Sequence, residues 1–133
     1  MTPDRDTLAR DLLTLPALVE APEEVVRGLV LCNPWGATPP VRSVDRDVWC
    51  VGMRPRTPAD LYAAGWRVDL DAPATAGPLI HLLAVELGKG EPIGPDHWSA
   101  LHTVRATYER LCADGDPTLA EAAARALVEV ARG

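Results

Sequence analysis

Apolar and polar residues alternate most clearly in the middle of the chain, where Trp66, Val68 and Leu70 take turns with Arg67, Asp69 and Asp71. A period of two places successive side chains on opposite faces, so the stretch predicts a strand with one buried side. Before it, Thr57-Pro58-Ala59-Asp60 has the form of a helix start: a threonine cap, proline in the first turn, and an acid three residues after the cap. Gly65 supplies the left-handed residue that ends this short helix. After the strand, Pro78 to Leu87 is apolar almost all round, the pattern of a helix buried in the middle of a fold. A helix running from Pro73 would drive the Pro78 ring into the Ala74 carbonyl. The pattern therefore predicts a start at Gly77-Pro78 or a kink there, and favours the late start.

The flanks supply cover for this centre. Thr2-Pro3 opens a first helix through about Leu13, with Leu8, Leu12 and Leu15 as its apolar stripe. Ala21-Pro22-Glu23-Glu24 opens a second, short helix that Gly28 ends. Leu29 to Cys32 and Val48 to Met53 are apolar runs of strand length, separated by the proline-rich loop Asn33–Pro40 and a polar turn at Asp45-Arg46-Asp47. Gly88 to Pro95 is rich in helix breakers, and a helix follows from Asp96 to Ala113. Trp98, Leu101, Val104, Tyr108, Leu111 and Cys112 are assigned to its core face. A capping box at Thr118–Glu121 opens the last helix. Leu119, Ala123, Ala126, Leu127 and Val130 point inward there, and a Glu121-Arg125-Glu129 ladder points to solvent. The sum is a single domain over 1–133 of α+β class, predominantly helical, with five or six helices around a small two- to three-stranded sheet near 29–32, 48–53 and 66–70.

Composition narrows the function classes. A net charge of −6 disfavours direct nucleic-acid or anionic-membrane binding. There is no run of eighteen apolar residues, and the charged, amphipathic stretch MTPDRDTLARDLL lacks the apolar core of a signal peptide, so the expected location is the cytoplasm. Cys32, Cys50 and Cys112 are odd in number and far apart, which predicts reduced, partly buried thiols. Twelve arginines against the single Lys89 reflect the codon bias of a GC-rich genome, bacterial or of a bacterial virus.

The candidate chemistry is sparse. His97 falls in a first helical turn, where the helix N-terminus favours a neutral imidazole suited to a base or ligand. With His102 and Tyr108 it is a candidate to line a small-ligand pocket against the central helix. The structural alternative for His97 is a core-edge histidine bonded to a carbonyl. His102, Arg105 and Glu109 are either an acid–base cluster or a solvated salt-bridge face. His81 reads as a hydrogen-bonded core residue. No metal motif, dinucleotide fingerprint, P-loop or nucleophile elbow occurs, so no cofactor and no catalytic residue are assigned. For binding, Trp35 in its proline-rich loop is either an anchor for a protein partner or a lid folded over the core. The acidic pairs Asp45/Asp47, Asp69/Asp71 and Asp114/Asp116 are either one patch imitating nucleic-acid phosphates or ordinary turn and cap residues.

The run Trp66 to Gly77, followed by Leu79, Leu82 and Leu83, resembles a group of small uncharacterised phage and prophage proteins. These carry an aspartate–proline–alanine–threonine turn, then glycine and a leucine-rich helix. The opening helix Thr7–Pro16 and the alanine-rich stretch Pro117–Leu127 are also similar, and together the similarity covers about a third of the chain. Pro78, Ile80 and His81 depart from the pattern, and Glu91 to Cys112 replaces its strand-rich stretch. The resemblance implies a viral accessory gene acting in a bacterial host. The leading expectation is non-catalytic binding to a host protein or complex, with inhibition of a defence system such as CRISPR–Cas as its narrower form. A small-ligand binder or small enzyme near His97 and a structural homo-oligomer, a homodimer in its simplest form, are the alternatives.

Overall fold

Helix starts and stops are set by local hydrogen-bonding chemistry, and the 57–65 segment shows how. The Thr57 hydroxyl accepts from the Asp60 N–H at 3.1 Å, and the Asp60 carboxylate accepts from the Thr57 N–H at 3.1 Å. Both halves of the capping box are thus in place, and Gly65 leaves the helix at φ +91°. A computed structural model describes residues 5–19, 21, 29–33, 41–42, 49–51, 54–89, 92 and 94–132, with 41–42, 49–51, 54–56 and 58 described by backbone alone.

In chain order the described elements are α1 (Arg5–Asp11), tightening into a 3-10 turn at Leu12–Thr14, and α2 (Pro16–Val19). Strands β1 (Leu31–Cys32), β2 (Val41–Arg42), β3 (Trp49–Val51) and β4 (Arg54–Arg56) follow. Then come α3 (Pro58–Ala63), β5 (Arg67–Val68), α4 (Pro73–Leu87), α5 (His97–Cys112) and α6 (Leu119–Arg132). The predominantly helical α+β class is as expected from the sequence. The helix expected after Pro22, the loop carrying Trp35 and the Asp45–Asp47 turn lie outside the described residues.

The strands do not form one sheet. β1 pairs antiparallel with β5, setting Leu31 opposite Val68, while β2, β3 and β4 form a separate antiparallel meander. Pairing β3 with its sequence neighbours closes short loops at low entropic cost. β5 packs against α1 and the 3-10 turn. The alternation read from the sequence holds: Trp66, Val68 and Leu70 are buried, and Asp71 is exposed.

Helix α4 occupies the centre and packs most extensively on α6, then on α5. Its Leu79, Leu82, Leu83 and Ala84 are buried, each leucine contributing roughly 1.5–3 kcal/mol of transfer free energy. Contrary to the late start favoured by the sequence, α4 begins at Pro73 and carries Pro78 in its interior. The missing Pro78 N–H deprives only the Ala74 carbonyl, in an exposed residue of the first turns where water can reach it. The early start is held by Thr75, whose N–H reaches the Ala72 carbonyl and whose buried hydroxyl accepts from the Val30 N–H.

Two further assignments change. The inner face of α5 is Ala100, Val104 and Thr107, not the aromatic stripe, and Trp98, Leu101, Tyr108 and Cys112 are exposed. On α6, Ala120, Ala122, Ala123, Ala124, Ala126 and Leu127 are buried, Leu119 is half exposed, and Glu121 is buried, not solvated. The reason is common to both helices. Small side chains let helix backbones approach closely: Ala84, Ala100, Thr107 and the alanines of α6 are buried along with Leu79, Leu82, Leu83, Val104 and Leu127, while Trp98, Leu101 and Leu119 stay outside. The Thr118 hydroxyl does cap α6, accepting from the Glu121 N–H at 3.1 Å while donating to the Leu70 carbonyl at 2.5 Å. Among the described residues no helix is long and apolar enough to cross a membrane.

Candidate functional site

The connection between α4 and α5 is fixed by a shared acceptor. The Ala84 carbonyl accepts from the Gly88 N–H at 2.9 Å and from the Asp96 N–H at 3.0 Å, so the end of one helix holds the start of the next. Asp96 caps α5, its carboxylate accepting from the Ser99 N–H at 3.0 Å and the Ser99 hydroxyl at 2.8 Å. Those two bonds favour the ionised form and hold its carboxyl below the ordinary aspartate range, with the neighbouring His97 adding a little. This anchoring brings the exposed His97 against the half-buried His81 of α4. Nε2 of His97 lies 3.1 Å from Nδ1 of His81, with ring centroids 5.0 Å apart and planes tilted by 53°.

The outer face of α5 carries a second feature. Trp98 is 74% exposed, Leu101 54% and Tyr108 37%, at helical spacing along one side. His102 meets Trp98 edge-on with centroids 4.7 Å apart, which braces the indole without covering it. Arg105 and Glu109 form a solvated pair at 3.3 Å beside this stripe, so the His102–Arg105–Glu109 group takes its salt-bridge form.

A third region is built around Arg5. Its guanidinium reaches Asp71 at 2.5 Å and Glu121 at 3.5 Å, and it lines two adjoining cavities. The first, of about 280 Å³, includes Cys32, Arg67 and Asp69, with Arg67 paired to Asp6. The second, of about 350 Å³, runs between Asp114, Asp116 and Arg125. Burial pushes the Cys32 thiol up, and the charges of Asp69 and Asp71 push the same way, so the thiol stays protonated and is a poor nucleophile. Asp69 also accepts from the Asp71 N–H at 3.0 Å, a turn-forming role. Around the two cavities Arg5, Arg67 and Arg125 are interspersed among Asp6, Asp69, Asp71, Asp114, Asp116 and Glu121.

Asp69 and Asp71 thus come together with Arg5, a residue the sequence did not single out. The contact joins positions 66 residues apart, and no local pattern encodes it. His97, His102 and Tyr108 share α5 but line neither of the two cavities. Trp35, Asp45 and Asp47 lie outside the described residues. Trp98 and Leu101, assigned to the core face from the sequence, are instead the most exposed large apolar side chains of α5. Comparison with protein-family models, with curated proteins and with solved structures finds no match.

Proposed function

We propose that the chain acts by non-catalytic binding of a protein partner, and that the outer face of α5 is its docking surface. The observation that carries this reading is the 74% exposure of Trp98, flanked by Leu101 and Tyr108 on a capped helix anchored to the centre of the fold. Aromatic side chains on a preordered element contribute most to protein interfaces, because little entropy is lost when they are buried. Burial and the nearby Asp69 and Asp71 push the Cys32 thiol up, which works against a thiolate nucleophile at the Arg5 cavities. The narrower form of the proposal, resting on the phage-protein resemblance of residues 66–83, makes the partner a component of a bacterial defence system.

The test is capture from bacterial lysate on the immobilised chain, comparing the wild type with Trp98→Ala/Leu101→Ala. A protein retained by the first and absent from the second supports the reading, and identical captures refute it. Sedimentation of the chain alone separates this from self-association through the same face.

A further inference from the structure

We infer that His81 and His97 form a two-histidine site for a borderline divalent transition metal such as Zn²⁺, bridging α4 and α5. The two nitrogens face each other at 3.1 Å, from rings whose helices are fixed by the shared Ala84 carbonyl. Two imidazole nitrogens bound to one zinc at about 2.05 Å and near-tetrahedral angles stand roughly 3.3 Å apart, so the pair needs almost no movement to chelate. A collinear N–H···N contact of this length would set the ring centroids about 5.4 Å apart. The observed 5.0 Å means that the ring axes are bent off the N···N line, as a shared ion requires.

The site is open to solvent on the His97 side, which gives an ion an entry path and leaves room for water ligands. Among the described residues no cluster of three or more histidine, cysteine or acidic side chains gathers, so the proposed site takes the two imidazoles as its protein ligands and water for the remaining positions. The site is therefore of the open type, with exchangeable positions, in place of a closed structural zinc site. Imidazole donors select zinc, copper or nickel over magnesium and calcium, which prefer oxygen. The sixteen-residue separation of the two histidines matches no short motif, which is why spacing alone did not suggest the site. It is independent of partner docking, although His97 directly precedes Trp98.

Calorimetric titration of the full chain, stripped with a chelator, with zinc chloride tests the site. One equivalent should bind per chain, an excess of magnesium should not compete, and Cys32→Ser/Cys112→Ser should bind as the wild type does. His81→Ala and His97→Ala should each weaken binding by more than about tenfold. Nitrogen-15 spectra of the imidazoles guard against a folding defect in the variants: zinc should shift Nδ1 of His81 and Nε2 of His97 in the wild-type chain. Zinc affinity unchanged in both histidine variants, or these two resonances unmoved at millimolar zinc, would overturn the assignment.

Discussion

Thr75 accepts a hydrogen bond from the Val30 N–H at 3.3 Å, joining the first turn of the central helix to the approach of β1 across 45 residues of sequence. Thr75 is fully buried, so removing its hydroxyl leaves the Val30 N–H without this acceptor. Thr75→Val keeps the shape and is expected to cost about 1–3 kcal/mol in urea denaturation. Thr75→Ser keeps the hydroxyl and loses one methyl, about 0.8 kcal/mol. Hydrogen exchange separates the two: the Val30 amide should exchange faster in the valine variant and at the native rate in the serine variant.

Two glycines of the α4 region should respond in opposite directions to alanine. A Cβ on Gly88 would lie 2.1 Å from the Gly94 carbonyl oxygen, a backbone atom that cannot rotate away, whereas Gly77 has nothing within 4 Å. Gly88→Ala is expected to cost about 1–3 kcal/mol by forcing the α4–α5 connection apart. Gly77→Ala, at a helical position, should stabilise by about 0.5–1 kcal/mol. Thermal unfolding of both variants checks the contrast.

Much of this architecture was legible locally. The Thr57–Asp60 box, the Gly65 terminator and the Trp66–Val68–Leu70 alternation are short-range signals, and each has one dominant physical cause. What was not legible depended on which faces met. Hydrophobicity alone assigns Trp98 and Leu101 to the interior face of α5, but the buried positions of that helix are Ala100, Val104 and Thr107. Pro78 was weighed by its local penalty, and a tertiary contact at Thr75 outweighed it. The Arg5–Asp71 and His81–His97 pairs join residues that no helix or strand period relates.

Asp96 links stability to pH. Its carboxyl sits lower in the folded chain than in the unfolded one, where it is near about 3.9. Its stabilising contribution is therefore present above that unfolded value and lost as pH falls through the folded one. The stability gap between the wild type and Asp96→Ala should be fully present at about pH 5 and narrow below about pH 4. Urea midpoints across that range measure it. A gap that widens on acidification would contradict the cap assignment.

If Trp98 anchors a protein partner from the outer face of α5, the affinity of a captured partner for Trp98→Ala reports it most directly. Since the indole is 74% exposed in the free chain, the variant should keep the wild-type circular dichroism and unfolding midpoint. Its affinity should fall by about 2 kcal/mol, roughly thirtyfold. Asp69→Asn/Asp71→Asn, at the Arg5 cavities, should bind the partner as the wild type does. Undiminished binding by a folded Trp98→Ala chain would contradict the account.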